Sequence, residues 1–314
     1  MDFYVTEQGS DTNDGLTWWT AFRTAHRAAE AMPLAQTGGG FMARTGRLFL
    51  GPGHFDERAL GPLHFSRAVR IIGAMASDTN EGGTVLDCDI EPEPGFAESS
   101  AWLRLDDLSF RGQLTVNQGG FGAGCRNVAF GNTQGWGLRI LGGCNDFYLD
   151  ECTAGGCRDG WIYVHYPATA NLGHLKIRGG QVDSCGAAPV LIDCDAYGVN
   201  YLSIADVKFE SNSDALHNDA VHYRPIGGSN GLRVTMSNCI AWRGGVAGRA
   251  LFYSEAGPGG SARFSGTNLD TQNYASGPWH DAKYGKKWPT PHMASFNWYG
   301  LGSWQAVVET PVGA

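Results

Sequence analysis

Short apolar strands, each about three residues long, recur along residues 108–264 in two interleaved series. One series reads Leu108-Ser109-Phe110, Val128-Ala129-Phe130, Phe147-Tyr148-Leu149, Leu175-Lys176-Ile177, Leu202-Ser203-Ile204, Leu232-Arg233-Val234 and Ala262-Arg263-Phe264. The other reads Leu114-Thr115-Val116, Leu138-Arg139-Ile140, Ile162-Tyr163-Val164, Val190-Leu191-Ile192, Val221-His222-Tyr223 and Leu251-Phe252-Tyr253. Within a series the step is roughly 20 to 31 residues, the range in which a repeat architecture is the first expectation. Between the strands lie turn clusters such as Gly155-Gly156-Cys157-Arg158-Asp159-Gly160 and Glu210-Ser211-Asn212-Ser213-Asp214. These residues tolerate positive φ or bond their own backbone. No pair of strands is joined by a two-residue hairpin turn, which argues against a meander. A chain that makes two short strands and returns at this interval is coiling, each turn pairing in parallel with the next about 4.8 Å away. The pattern predicts a parallel β-helix with a stacked interior.

Composition agrees with a turn-rich β protein. Of 314 residues 46 are Gly and only 17% are charged, unlike a helical or disordered chain. The net charge of −8 and the absence of any long basic run argue against a nucleic-acid partner. No apolar run reaches the ~18 residues of a membrane span. Met1-Asp2-Phe3-Tyr4-Val5 enters a strand-like stretch directly, without the basic segment of a signal peptide. The eight cysteines form no C-x-x-C pair, which argues against structural zinc. Cys157 and Cys185 lie one coil apart at matching places, within reach of a disulfide. Without a sign of secretion, reduced and buried thiols are the favoured state.

Read in order, Phe3-Tyr4-Val5 is an opening strand, and Gly9 to Gly15 is a dense turn. Thr20 is placed to cap a helix over Phe22 to Met32, with Phe22, Ala25, Ala29 and Met32 on one face and Pro33 as its stop. Such a helix would cover the open apolar end of the coil. Residues 47–272 then form the solenoid. Residues 273–314 break the rhythm and read as a long loop and cap, with Trp279 and Trp288 beside Pro and Gly.

The opening Phe3-Tyr4-Val5, Gly9-Ser10-Asp11-x-Asn13-Asp14-Gly15, Phe22-Arg23-Thr24 and Leu50-Gly51-Pro52-Gly53-x-Phe55-x-Glu57 resembles the start of pectate-lyase-like right-handed β-helix proteins. Ser295 to Gly300 followed by Leu301 to Ala306 is similar to the closing rung and helix of many members. The resemblance implies an all-β, right-handed parallel β-helix with an N-terminal strand and capping helix within residues 1–46 and a C-terminal capping segment. The superfamily includes polysaccharide lyases, glycoside hydrolases and bacteriophage tail proteins, so the fold does not name an activity.

Aligning the second series puts His165, Asp193, Arg224 and Ser254 in one column. Strand alternation points Val190, Ile192 and Cys194 inward, and Asp193 and Asp195 outward about 7 Å apart. Tyr163, His165, His222 and Arg224 also point out, with His217 and Asp219 in the turn before Val221. Several chemistries fit this cluster. Asp193 and Asp195 could be the acid and base of glycoside hydrolysis. With a further acid they could hold Ca²⁺ while Arg224 or His222 abstracts a proton, as in uronate lyases. The group could bind sugar hydroxyls, with Trp279 and Trp288 stacking on sugar rings. It could also be a structural ladder in which Asp193 pairs with Arg224 and His165. A pectate lyase would present an outward Lys beside its carboxylates, whereas Lys176 and Lys208 belong to the other series. Asp150, Glu151 and Asp183 read as ordinary solvated turn residues.

By that resemblance, a β-helix facing a polysaccharide without an export signal is expected to be a phage tail, spike or fibre protein made in the host cytoplasm. Its expected partners are a host-surface glycan and other virion proteins, with a homotrimer as an assembly. A polysaccharide lyase or hydrolase and a purely structural virion protein are the alternatives. No cofactor is required by the binding reading.

Overall fold

The computed structural model describes residues 1–36, 42–65, 69–75, 82–92, 103–117, 123–131, 134–142, 146–166, 173–183, 185, 189–194, 198–210, 220–225, 230–242, 252–254, 261–270, 279–281, 286–287, 292–299 and 303–305. They form a parallel β-solenoid. Ile162, Val190 and Val221 stack directly over one another inside it, all fully buried.

The coil has three faces. The first begins at Asp2–Val5 and Gly46–Leu50 and runs through Phe147–Asp150, His174–Arg178 and Gly198–Ala205 to Asn230–Ser237 and Ser261–Asp270. The second contains Gly53–Asp56, Thr84–Asp87, Thr153–Gly155, Gln181–Asp183, Lys208–Glu210 and Ile240–Trp242. The third runs from Leu63–Phe65 and Ile90–Pro92 through Leu114–Asn117, Trp136–Leu141, Gly160–Tyr166, Val190–Cys194 and Val221–Pro225 to Phe252–Ser254 and Trp279–Asp281.

The first series read from the sequence merges two of these faces. Leu108–Phe110 and Val128–Phe130 belong to the second face, whereas the later members belong to the first. Strands Arg104–Phe110 and Gly124–Gly131 turn the corner without a break, so one strand serves both faces. The separate second-face strands are three or four residues long, and Thr153–Gly155 and Gln181–Asp183 each bury only the middle residue. That is too short for alternation to show.

The corner between first and second faces is built from left-handed residues. Asp107, Asn127, Glu151, Asp206 and Asn238 all have φ between 50° and 59°, and Gly179 joins them at 66°. Asn and Asp accept this region at lower cost than other side chains. They also tie coils together: Asn127 Nδ2 donates to Asp107 Oδ1 at 2.9 Å, and Asn238 Nδ2 to Asp206 Oδ1 at 3.0 Å. Beyond the corner, Phe55, Leu86, Phe110, Phe130, Ala154, Val182 and Phe209 form one buried inward column.

The N-terminal helix is shorter than expected, Ala25–Ala31, and Thr24 caps it by accepting from Arg27 N. Thr20 instead ends a 3₁₀ turn, Trp18–Thr20. Ala25, Ala28 and Ala29 are buried against the first coils. At the C-terminal end, His292–Tyr299 runs antiparallel to Ser261–Asp270, and Ser303–Gln305 antiparallel to His292–Tyr299. The described part of this cap is therefore strand where a rung and helix were expected. Trp279 is likewise in a third-face strand, paired with Phe252, and not in a long loop. Among the described residues no helix is long and apolar enough to cross a membrane.

Candidate functional site

The third-face column is real over most of its length: His165 pairs with Asp193, and Asp193 with Arg224. Ser254 does not join it. Val221 pairs with Phe252 and Tyr223 with Ser254, a shift of one residue that places the bulky Phe252 in the interior. Asp193 points away from the core yet is only 4% exposed. Arg224 grips it with both arms, Nε to Oδ1 at 2.7 Å and Nη2 to Oδ2 at 2.8 Å. Tyr163 Oη donates to the same Oδ2 at 2.9 Å and lies 3.5 Å from His165 Nδ1. Burial, helped by the bond to Asp193, pushes the Tyr163 hydroxyl up to about 12, so it remains a donor. Trp136 lies 5.4 Å from the Tyr163 ring, and the Arg139 guanidinium 5.8 Å from it.

This geometry satisfies the Asp193 carboxylate from within the protein. A bidentate Arg pair with an additional hydroxyl donor is a strong, oriented interaction. It leaves the carboxylate covered where a general acid or base would have to meet substrate. His222, also expected outward and accessible, is 3% exposed. At Asp193 the long side chains of Arg224 and Tyr163, from the neighbouring coils, close over the outward position. Asp195, His217, Asp219 and Trp288 lie outside the described residues. Among the described residues no three His, Cys, Asp or Glu side chains converge as a metal site.

The open surface lies on the second face. Its outward column reads His54, Val85, Ser109, Ala129, Thr153 and Gln181. Beside it run Asp56, Asp87, Arg111, Gly131, Gly155 and Asp183. Small side chains in the middle leave a trough of about 500 Å³ floored by Ser109, Ala129, Gly131, Thr153 and Gly155 and edged by Arg111, Gln181 and Asp183. It adjoins a polar cavity of about 480 Å³ that shares Arg111 and Gly156 and adds His54, Asp56, Arg58, Asp87 and Gln134. A third cavity of about 290 Å³ shares His54 and Asp56 and reaches Glu7 and Arg23 beside the cap. The cavities share lining residues along this face, but Val85, between His54 and Ser109 in the column, is fully buried. The trough itself runs from Ser109 to Gln181, three coil-to-coil steps, about 14 Å at the usual strand spacing.

Several groups lining these cavities are engaged within the protein. Asp87 is buried and paired with Arg58, with His54 Nε2 3.6 Å away. Glu57 accepts from Ala25 N at 2.6 Å, His26 N at 3.0 Å and His26 Nδ1 at 2.5 Å, which locks the capping helix to the first coil. Sequence reasoning passed over this groove and read Asp183 as a solvated turn residue. The available signal was the run of small outward residues, Ser109, Ala129 and Thr153, at matching places in successive coils. No known protein family, curated protein or solved structure matches the chain.

Proposed function

We propose that the protein is a glycan-contacting β-solenoid that lays a polysaccharide chain lengthwise in the second-face groove, as part of a phage tail, spike or fibre. The carrying observation is the small-residue floor that runs unbroken over successive coils between polar edges. Pockets that bind ligands combine a shaped concavity with a few convergent polar groups. Here Arg111, Gln181 and Asp183 offer donors and acceptors suited to sugar hydroxyls. The resemblance of the opening segments to pectate-lyase-like β-helix proteins, a superfamily that includes phage tail proteins, supports the particle setting.

The test is binding of host-surface polysaccharide fragments, measured by calorimetry. Filling the floor with Ala129→Trp or Thr153→Trp is expected to reduce affinity at least tenfold. Asp193→Asn is expected to leave binding within about twofold while lowering stability by about 1–3 kcal/mol, because the charge is lost and one of the two oxygens that accept from Arg224 and Tyr163 becomes an amide donor. Loss of binding in Asp193→Asn with wild-type affinity in the floor variants would move the site to the third face.

A further inference from the structure

Two cysteines lie directly beneath the C-terminal half of the groove. Cys157 follows strand Thr153–Gly155 by two residues, and Cys185 follows Gln181–Asp183 by two. Those strands pair Gly155 with Asp183, so the two cysteines are vertical neighbours on successive coils. Parallel neighbours are about 4.8 Å apart, inside the ~4.4–6.8 Å Cα range of disulfides. Both side chains are 1% exposed, and the Cys185 thiol lies against the Cys157 side chain and 3.7 Å from the Asp183 carbonyl oxygen, to which it donates. Cys125 and Cys152 are also close in space, and the Cys152 thiol is directed at the carbonyls of Cys125 and Asp150.

We propose that Cys157 and Cys185 are a paired oxidation site that closes to an inter-coil disulfide when the protein meets a small-molecule disulfide oxidant. One thiolate attacks the oxidant and releases one small thiol, forming a mixed disulfide. The second thiolate then attacks the protein sulfur and releases the other small thiol. Two protein thiols are oxidised and one small disulfide is reduced to two thiols. The bond would add a covalent tie between two coils now joined by strand pairing, buried packing and the Tyr163–Asp193 hydrogen bond. It would do so next to Gly156 and Asp183, which line the groove. The adjoining Cys157 side chain and burial hold the Cys185 thiol well above the usual thiol range. Thiolate is the reactive form, so closure in the folded protein is slow and accelerates as pH rises. This inference does not depend on what the groove binds.

The test uses the full chain with excess oxidised glutathione, both folded and during refolding, where access is not limiting. Samples are then alkylated and mapped by mass spectrometry. The expected product is 2 Da lighter, contains a Cys157–Cys185 peptide and melts about 5 °C or more higher, as expected for closing a loop of this size. Cys157→Ser and Cys185→Ser should each abolish product and shift. Absence of the crosslink from both the folded and the refolded pools would overturn the proposal. So would a crosslinked protein that melts below the reduced form.

Discussion

At the scale of single residues, the corner between first and second faces depends on which side chains accept φ near +55°. A β-branched residue there adds the steric cost of the left-handed region, about 1–2 kcal/mol, and an Asn127 replacement also loses the bond to Asp107. Asn127→Val is therefore expected to lower the urea midpoint clearly, and Asn127→Gly much less. His26 makes a second residue-scale prediction. Its ring nitrogens face Glu57 Oε2 and the Gly61 carbonyl at 2.5 and 3.1 Å, and only the protonated ring donates to both. Burial opposes that charge, but Glu57 outweighs it and the pKa is raised above 6.5. The resulting stability is fully present below pH 6.5 and is lost as pH climbs through the folded-state pKa. Thermal midpoints measured upward from pH 6 should fall through that window in wild type and fall less in His26→Gln.

Within single elements, close approach of neighbouring coils decides what the glycines can become. A Cβ on Gly180 would sit 1.8 Å from the Cys152 carbonyl oxygen, at φ +89°. Gly155, in a second-face strand, has nothing within 4 Å of the same position. Gly180→Ala is expected to cost about 3 kcal/mol or more, combining overpacking with backbone strain. Gly155→Ala should be close to neutral, and chemical denaturation of the pair separates the two cases. The Phe130 ring, edge-on to Phe110 at 6.0 Å and fully enclosed, holds the inward column. Phe130→Ala should cost about 3–5 kcal/mol.

Across the whole molecule, a solenoid behaves as a stack in which each coil contacts its neighbours. A groove built from one position per coil therefore has a length set by how many successive coils keep that position small. Affinity for a graded series of oligosaccharides should rise with chain length until the Ser109–Gln181 span of about 14 Å is filled, then level off. Calorimetry on such a series checks this, and affinity independent of length would argue for a single compact subsite instead.

The coiled architecture was legible in the sequence because Ile162, Val190 and Val221 recur with inward neighbours two residues on. A strand's apolar alternation sets which side faces the core whatever surrounds it. Short sequence distances also made the Cys157–Cys185 proximity readable. The three-sided cross-section was hidden, because strands such as Gln181–Asp183 carry a single inward residue and leave no period to detect. The Asp193 column was found, but its openness was misjudged. Whether an outward carboxylate meets solvent depends on how far Arg224 and Tyr163 reach across from adjacent coils, a distance set in three dimensions. The groove required the same information in reverse: Ser109, Ala129 and Thr153 are unremarkable one at a time, and become a floor only when the coil stacks them.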